Sequence, residues 1–226
     1  MKISIIVPVF NEEKTVEEII NRVKKVKYPH TTEIIVVNDG STDGTQKILK
    51  NIRGIILVDN KHNRGKGFSL RAGFKRAGGD IILIQDADLE YNPQEHLKLL
   101  DVLKDPKINV VYGSRFLKKT HKPRYTVFYF GNILLSLLTK ILFLKNITDM
   151  ETCYKAFKKG VIKNVKLTED RFGFEPEITC KIYKLGFDIV EIPISYNSRS
   201  YNEGKKINFI DGLRALYILF KYRFTN

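Results

Sequence analysis

Hydrophobic residues fall into five short runs in the first half of the chain, at 3–9, 33–37, 55–58, 81–84 and 110–112. Between them lie stretches with apolar positions at helical spacing, 12–26, 42–52, 67–77 and 94–103. Runs that are apolar at nearly every position leave no face for water. They predict strands of a parallel sheet covered by single helices on both sides. The expected fold class is α/β. In such sheets ligands lie beyond the carboxyl ends of the strands.

Past residue 116 the pattern changes. The stretch 128–144, "FYFGNILLSLLTKILFL", is apolar except at Asn132, Ser136, Thr139 and Lys140, which form one narrow polar stripe on a helix. That describes an interfacial or deeply packed helix, since no run reaches the 18 or so uncharged apolar residues of a membrane span. A helix at 175–185, a strand at 189–196 and a final helix at 207–224 follow. The last places Ile210, Leu213, Tyr217 and Phe220 on one face with Arg214, Lys221 and Arg223 elsewhere, the pattern of a basic membrane-surface helix. With no repeat, low-complexity tract or long linker, 1–226 reads as one domain.

Composition adds a charge. The 39 Lys and Arg exceed the 25 Asp and Glu, leaving a formal net charge of +14. This points to an anionic partner: nucleic acid, an acidic membrane surface or a phosphorylated substrate. The two cysteines, Cys153 and Cys180, lack metal-site or disulfide spacing and read as reduced structural thiols of a cytosolic protein. The N-terminal apolar run, cut by Pro8 and followed by acids, reads as a first strand and not a signal peptide. The four histidines, His30, His62, His96 and His121, are scattered and expected to be exposed.

The strand ends are unusually polar: "PVFNEE", "NDGSTDGT", "NKHNRGKG", "QDADLE" and "GSR". Asp86, Asp88 and Glu90 crowd like charge directly after a buried strand, which is tolerated best around a divalent cation that also holds an anion. Hard oxygen ligands suit Mg²⁺ or Mn²⁺, and a nucleotide diphosphate is the expected anion. The plainer alternative makes Asp86 a helix cap and the other two solvated acids. In "VNDGSTDGT", Ser41 or Thr42 can cap the next helix, while Asp39 and Asp43 exceed what a plain turn requires and can accept hydrogen bonds from a base or ribose.

Taken in order, "IIVPVFNEE", "VVNDGSTDGT", "NRGKG", "DADLE", "GSR" and "DMETCYKAF" resemble the family 2 glycosyltransferases of GT-A fold, and more narrowly the dolichol-phosphate mannose synthases and polyprenyl-phosphate glycosyltransferases. The resemblance implies a Rossmann-like, mostly parallel central sheet and an inverting hexosyl transfer from a nucleotide-sugar. Residues 1–115 would form the donor half, and 116–226 the acceptor and membrane-interface half. It further implies that Pro8, Phe10 and Glu12 line the nucleoside, that Asp39 contacts the base, and that Lys66 belongs to the donor site. Asp86 and Asp88 would hold metal and diphosphate. Glu90 stands where mannose synthases commonly carry a Gln metal ligand, so this site bears one more negative charge. Arg115 matches an arginine near the acceptor phosphate, and Arg199, Lys205 and Lys206 match a basic loop over the donor. Asp149 matches an acid near the sugar, either orienting it or acting as base on a hydroxyl acceptor.

An acceptor phosphate is already anionic and needs positive charge instead of a base. Arg115, Lys118, Lys119, Lys122 and Arg124 supply it in the first basic segment, though the three lysines also suit a merely solvated loop. The expected partners are a nucleotide-sugar such as GDP-mannose or UDP-glucose, a polyprenyl or dolichyl phosphate, a membrane surface and a membrane-anchoring subunit. The expected location is peripheral, on the cytoplasmic face. Two alternatives stand beside this reading. One is a family 2 enzyme acting on a saccharide hydroxyl, which needs a base. The other is a basic nucleic-acid-binding protein, which explains the charge but neither the acids at strand ends nor the lack of a base-stacking motif.

Overall fold

The computed structural model describes residues 1–117, 126–199 and 209–225. Lys118, Lys119, His121, Lys122, Arg124, Lys205 and Lys206 lie outside them. Among the described residues seven strands form one sheet: β1 (Lys2–Val9), β2 (Thr31–Asn38), β3 (Ile56–Asp59), β4 (Ile81–Ile84), β5 (Val110–Ser114), β6 (Lys155–Lys158) and β7 (Ile189–Pro193). Their order is β3-β2-β1-β4-β6-β5-β7. Every pairing is parallel except those of β6, which runs antiparallel between β4 and β5.

Alternation along the strands divides the core. Ile6, Ile35, Val37, Ile82 and Ile84 face one layer, and Ile5, Val7, Ile34, Val36 and Leu83 face the other. The helices α1 (Val16–Lys25), α2 (Thr45–Asn51) and α4 (His96–Val102, after a 3₁₀ turn at Pro93–Glu95) cover the second layer. The first is covered by α3 (Lys66–Arg76), α5 (Thr126–Phe143), α6 (Lys159–Asn164), α7 (Phe174–Lys184) and α8 (Phe209–Phe224). Helix α3 lies so close to β1 that a Cβ on Gly73 would stand 2.4 Å from the Ile6 side chain.

Strand β6 and helix α6 are absent from the hydrophobic pattern. The strand reads "KAFK", and its first lysine is buried, with the Lys155 amine donating to the carbonyls of Met150 and Thr152 and lying 4.5 Å from the centre of the Tyr112 ring. Pattern reading assigns such a lysine to solvent.

Helix α5 is also turned differently from a packed amphipathic helix. Ser136 and Thr139 face inward, the first accepting from the Met150 N–H at 3.0 Å and the second donating to the Leu135 carbonyl at 2.8 Å. Phe130, Leu134, Leu137 and Ile141 face out, and beside them α8 exposes Ile210, Leu213, Tyr217 and Phe220. Among the described residues no helix is long and apolar enough to cross a membrane.

Candidate active site

The carboxyl ends of the parallel strands and the start of β6 surround an open cavity of about 580 Å³. The loops that build it clasp one another. Asn11, at φ 50°, donates its N–H to Ser41 Oγ at 3.0 Å, the Glu12 N–H donates to Thr45 Oγ1 at 2.9 Å, and Glu13 accepts from the Gly44 N–H at 2.7 Å. Asp43 accepts from the Thr45 N–H at 3.0 Å, so the start of α2 is satisfied by Asp43 and not by Ser41 or Thr42. Asp43 therefore acts within the fold of this loop.

Pro8, Phe10, Glu12, Asp39, Lys66, Asp86, Asp88, Glu90, Arg115 and Arg199 all line the cavity. Asp39 is 2% exposed and accepts from the Gly65 N–H at 2.6 Å, the Arg64 N–H at 3.1 Å and Asn60 Nδ2 at 2.8 Å. It thus holds the turn that opens α3. Gly65 in that turn has φ +101°, and a Cβ there would meet the Asp170 carbonyl at 2.6 Å.

The acids after β4 are already paired with cations of the chain. Lys66 Nζ lies 2.9 Å from Asp86 Oδ1, 2.8 Å from Cys153 Sγ and 3.1 Å from Glu175 Oε1. Arg199 reaches Glu12 at 3.0 Å and Asp88 at 3.3 Å, and its own N–H donates to Glu90 at 2.8 Å. Glu90 also accepts from the Tyr196 hydroxyl at 2.8 Å. Burial would raise the Asp86 carboxyl, yet Lys66 draws it below its ordinary range. Burial, then repulsion from Asp86 and Glu90, push Asp88 up to about 8 despite Arg199. Acids outnumber cations here, and the site is short of positive charge. Among the described residues no three His, Cys, Asp or Glu side chains converge into a metal cage of their own. Any ion would need ligands from a bound anion or water.

Arg115 and Asp149 form a fork. The arginine donates from Nε and Nη2 to the two carboxylate oxygens, each at 2.7 Å, and its backbone N–H adds a third bond at 2.9 Å. Asp149 is fully buried and does not line the cavity, whereas Arg115 does. Its guanidinium carbon lies 5.0 Å from the centre of the Tyr196 ring.

Further residues join the site beside those given a role above. Glu175 lines the cavity with Oε2 unpartnered, as does Glu151 with Oε1. Burial, then repulsion from Glu175, raise Glu151 to about 8. Tyr196 just beyond β7 and Cys153 just before β6 also line it. Tyr196 lies at a strand end, the signal that found the others. Cys153 enters through the antiparallel β6, which that signal does not reach. Glu177 instead is structural, accepting from the Thr168 and Glu169 N–H groups and the Tyr222 hydroxyl.

One histidine corrects an expectation. His96 is fully buried, with Nδ1 2.8 Å from the Tyr28 hydroxyl and its ring against Tyr154. Burial lowers it to about 3. His30 and His62 are exposed as expected.

Residues 4–166 match the model of glycosyl transferase family 2. The chain belongs to that family. Among relatives, an uncharacterized protein of Methanocaldococcus jannaschii is 31% identical, covering 96% of this chain and 90% of its own length. The UDP-N-acetylglucosamine–dolichyl-phosphate N-acetylglucosaminyltransferase of Methanococcus voltae is 28% identical, covering 96% and 94%. The dolichol-phosphate mannosyltransferase of Pyrococcus furiosus is 27% identical over 98% of this chain, which spans 64% of that relative's length. In fold the chain is similar to glucosyl-3-phosphoglycerate synthase from Mycobacterium tuberculosis, solved with Mn²⁺, UDP and phosphoglyceric acid, at a TM-score of 0.76 and 20% identity, covering all of this chain and 79% of that one. The α/β architecture is thus that of the GT-A glycosyltransferases, and the chain is a glycosyltransferase.

Proposed function

We propose that this family 2 enzyme transfers a hexose, mannose or glucose, from a nucleoside-diphosphate sugar to a polyprenyl or dolichyl phosphate at a membrane surface, with a divalent metal ion. The observation that carries this reading is the reach of the cavity. Its lining runs from Asp86 and Asp88 past Arg115 to Tyr129, Leu134 and Leu135 on α5 and Leu213 and Leu216 on α8. One hollow joins a charged end suited to a nucleotide diphosphate to an apolar end suited to a lipid tail. The outward apolar faces of α5 and α8, with Arg214, Lys221 and Arg223 on α8, support a seat in the headgroup region. Relatives named as dolichyl-phosphate transferases support the same acceptor.

The donor set fits Mg²⁺ or Mn²⁺. These ions are held through one or two carboxylates together with phosphate oxygens and water, and Asp86 and Asp88, with Glu90 beside them, offer hard oxygens in a site short of positive charge. Bound there, the ion would supply Lewis acidity to the departing diphosphate.

In the reaction an acceptor phosphate oxygen forms a bond to C1 of the sugar. The C1–oxygen bond to the diphosphate breaks, its electron pair leaves with the diphosphate, and C1 inverts. Lys66 and Arg199 place fixed positive charge where negative charge develops on the leaving group. Arg115, oriented by Asp149, presents its guanidinium to the acceptor phosphate. No general base is required, because the attacking oxygen is already ionised. This agrees with Asp149, whose two oxygens both serve Arg115, and with Glu151, whose carboxyl is raised by burial and by Glu175.

The test compares label transfer from GDP- and UDP-sugars onto a short polyprenyl phosphate and onto the matching polyprenol. The reading expects product from the phosphate alone. Transfer to a saccharide hydroxyl, with none to the lipid phosphate, would replace it with the polysaccharide alternative.

A further inference from the structure

Arg199 gathers acids from separate parts of the chain. Its Nη1 lies 3.0 and 3.1 Å from the two oxygens of Glu12, after β1. Its Nη2 lies 3.3 Å from Asp88 Oδ2 and its Nε 3.9 Å from Glu90 Oε1, both after β4. Only 15% of the arginine side chain is exposed, and the three acids are similarly covered, at 9%, 12% and 11%. A planar guanidinium holds donors on three nitrogens in a rigid fork, so this one side chain spreads a single fixed charge over three carboxylates. A divalent ion held at Asp88 would stand within a few ångströms of this fixed charge, in surroundings where water screens little. The two cations therefore compete, unless an incoming anion gives the guanidinium a new partner.

We propose that Arg199 is the resident counter-ion of the donor site, and that it makes metal binding conditional on the arrival of a nucleoside diphosphate. The inference rests on the metal-dependent reading above. In the ligand-free protein Arg199 stands against Asp88, Glu12 and Glu90 and keeps affinity for the bare ion low. When diphosphate and ion come together, the diphosphate receives the guanidinium while Asp88 receives the ion. The two ligands then bind with positive coupling, and the arginine carries part of it. An arginine that only grips phosphate would leave the affinity for the bare ion unchanged.

The experiment measures free Mn²⁺ by electron paramagnetic resonance during titration of the full chain, alone and with UDP or GDP. In Arg199→Gln, Mn²⁺ alone should bind about tenfold tighter than in the wild type, and the enhancement by nucleoside diphosphate should shrink correspondingly. Equal or weaker binding of Mn²⁺ alone by the variant, with normal binding by the wild type in the presence of diphosphate, overturns the counter-ion role. If the wild type binds no Mn²⁺ even with either diphosphate, the metal reading itself fails. Should the glutamine variant not fold, Arg199→Lys keeps one charge but loses the three-way fork. A several-fold gain for Mn²⁺ alone is then expected, and no gain overturns the proposal.

Discussion

Asp149 gives both carboxylate oxygens to Arg115 in a buried fork, so its first effect is on the arginine it holds. Removing one partner of a buried pair leaves the other charged and unsolvated. Asp149→Ala should therefore lose about 3–5 kcal/mol in urea unfolding. Arg115→Met with Asp149→Leu should recover much of that stability without recovering transfer. His96 gives a pH signature. Its folded value is pushed down to about 3 by burial, so its contribution is complete above the unfolded value and is lost as pH falls below it. Relative to His96→Gln, wild-type stability should drop by about 2 kcal/mol between pH 7 and pH 5, because the unfolded histidine ionises near 6.5. A constant difference would show that the ring is solvated. Neither pairing was legible in the sequence. The acids after β4 were, since charge crowded behind an apolar run has few structural uses. Their partners Lys66 and Arg199 come from positions 20 and more than 100 residues away, where spacing carries no information.

At the scale of elements, the strands and helices of the first half follow directly from the apolar runs, because a buried parallel strand has no polar face to blur it. β6 escaped because half of its four residues are lysines, one of them turned inward onto carbonyls and a ring. α5 was legible as a helix but not in its orientation. Ser136 and Thr139 bond within the protein beside the buried Leu135, while Phe130, Leu134, Leu137 and Ile141 face out, so the helix carries apolar residues on its outer face as well as its inner one. With the neighbouring face of α8 this leaves an apolar surface of a kind that soluble proteins rarely present. Leu134→Glu with Leu137→Glu should cut co-sedimentation with anionic vesicles at least about tenfold, given roughly 1.5–3 kcal/mol per buried leucine, and leave the melting temperature nearly unchanged. Vesicle binding equal to the wild type would remove the membrane seat from the account.

Across the whole molecule, one sheet brings the ends of β1, β2, β4, β5 and β7 to a single rim and leaves α5 and α8 beside it, so the acids after β4 and an apolar cleft share one cavity. The net charge of +14 suits a protein that meets two anionic ligands and an anionic surface. Transfer to a lipid phosphate is tested by the movement of labelled sugar into the organic phase. The reactions would contain nucleotide-sugar, polyprenyl phosphate and Mn²⁺ or Mg²⁺, with wild-type enzyme beside Asp88→Asn and beside wild type treated with a chelator. The expected result is acid-labile lipid-linked label with the wild type, a fall of at least about a hundredfold with Asp88→Asn, and loss with the chelator that is restored by added metal. Full transfer by Asp88→Asn, or donor binding without lipid product from any sugar, would contradict it.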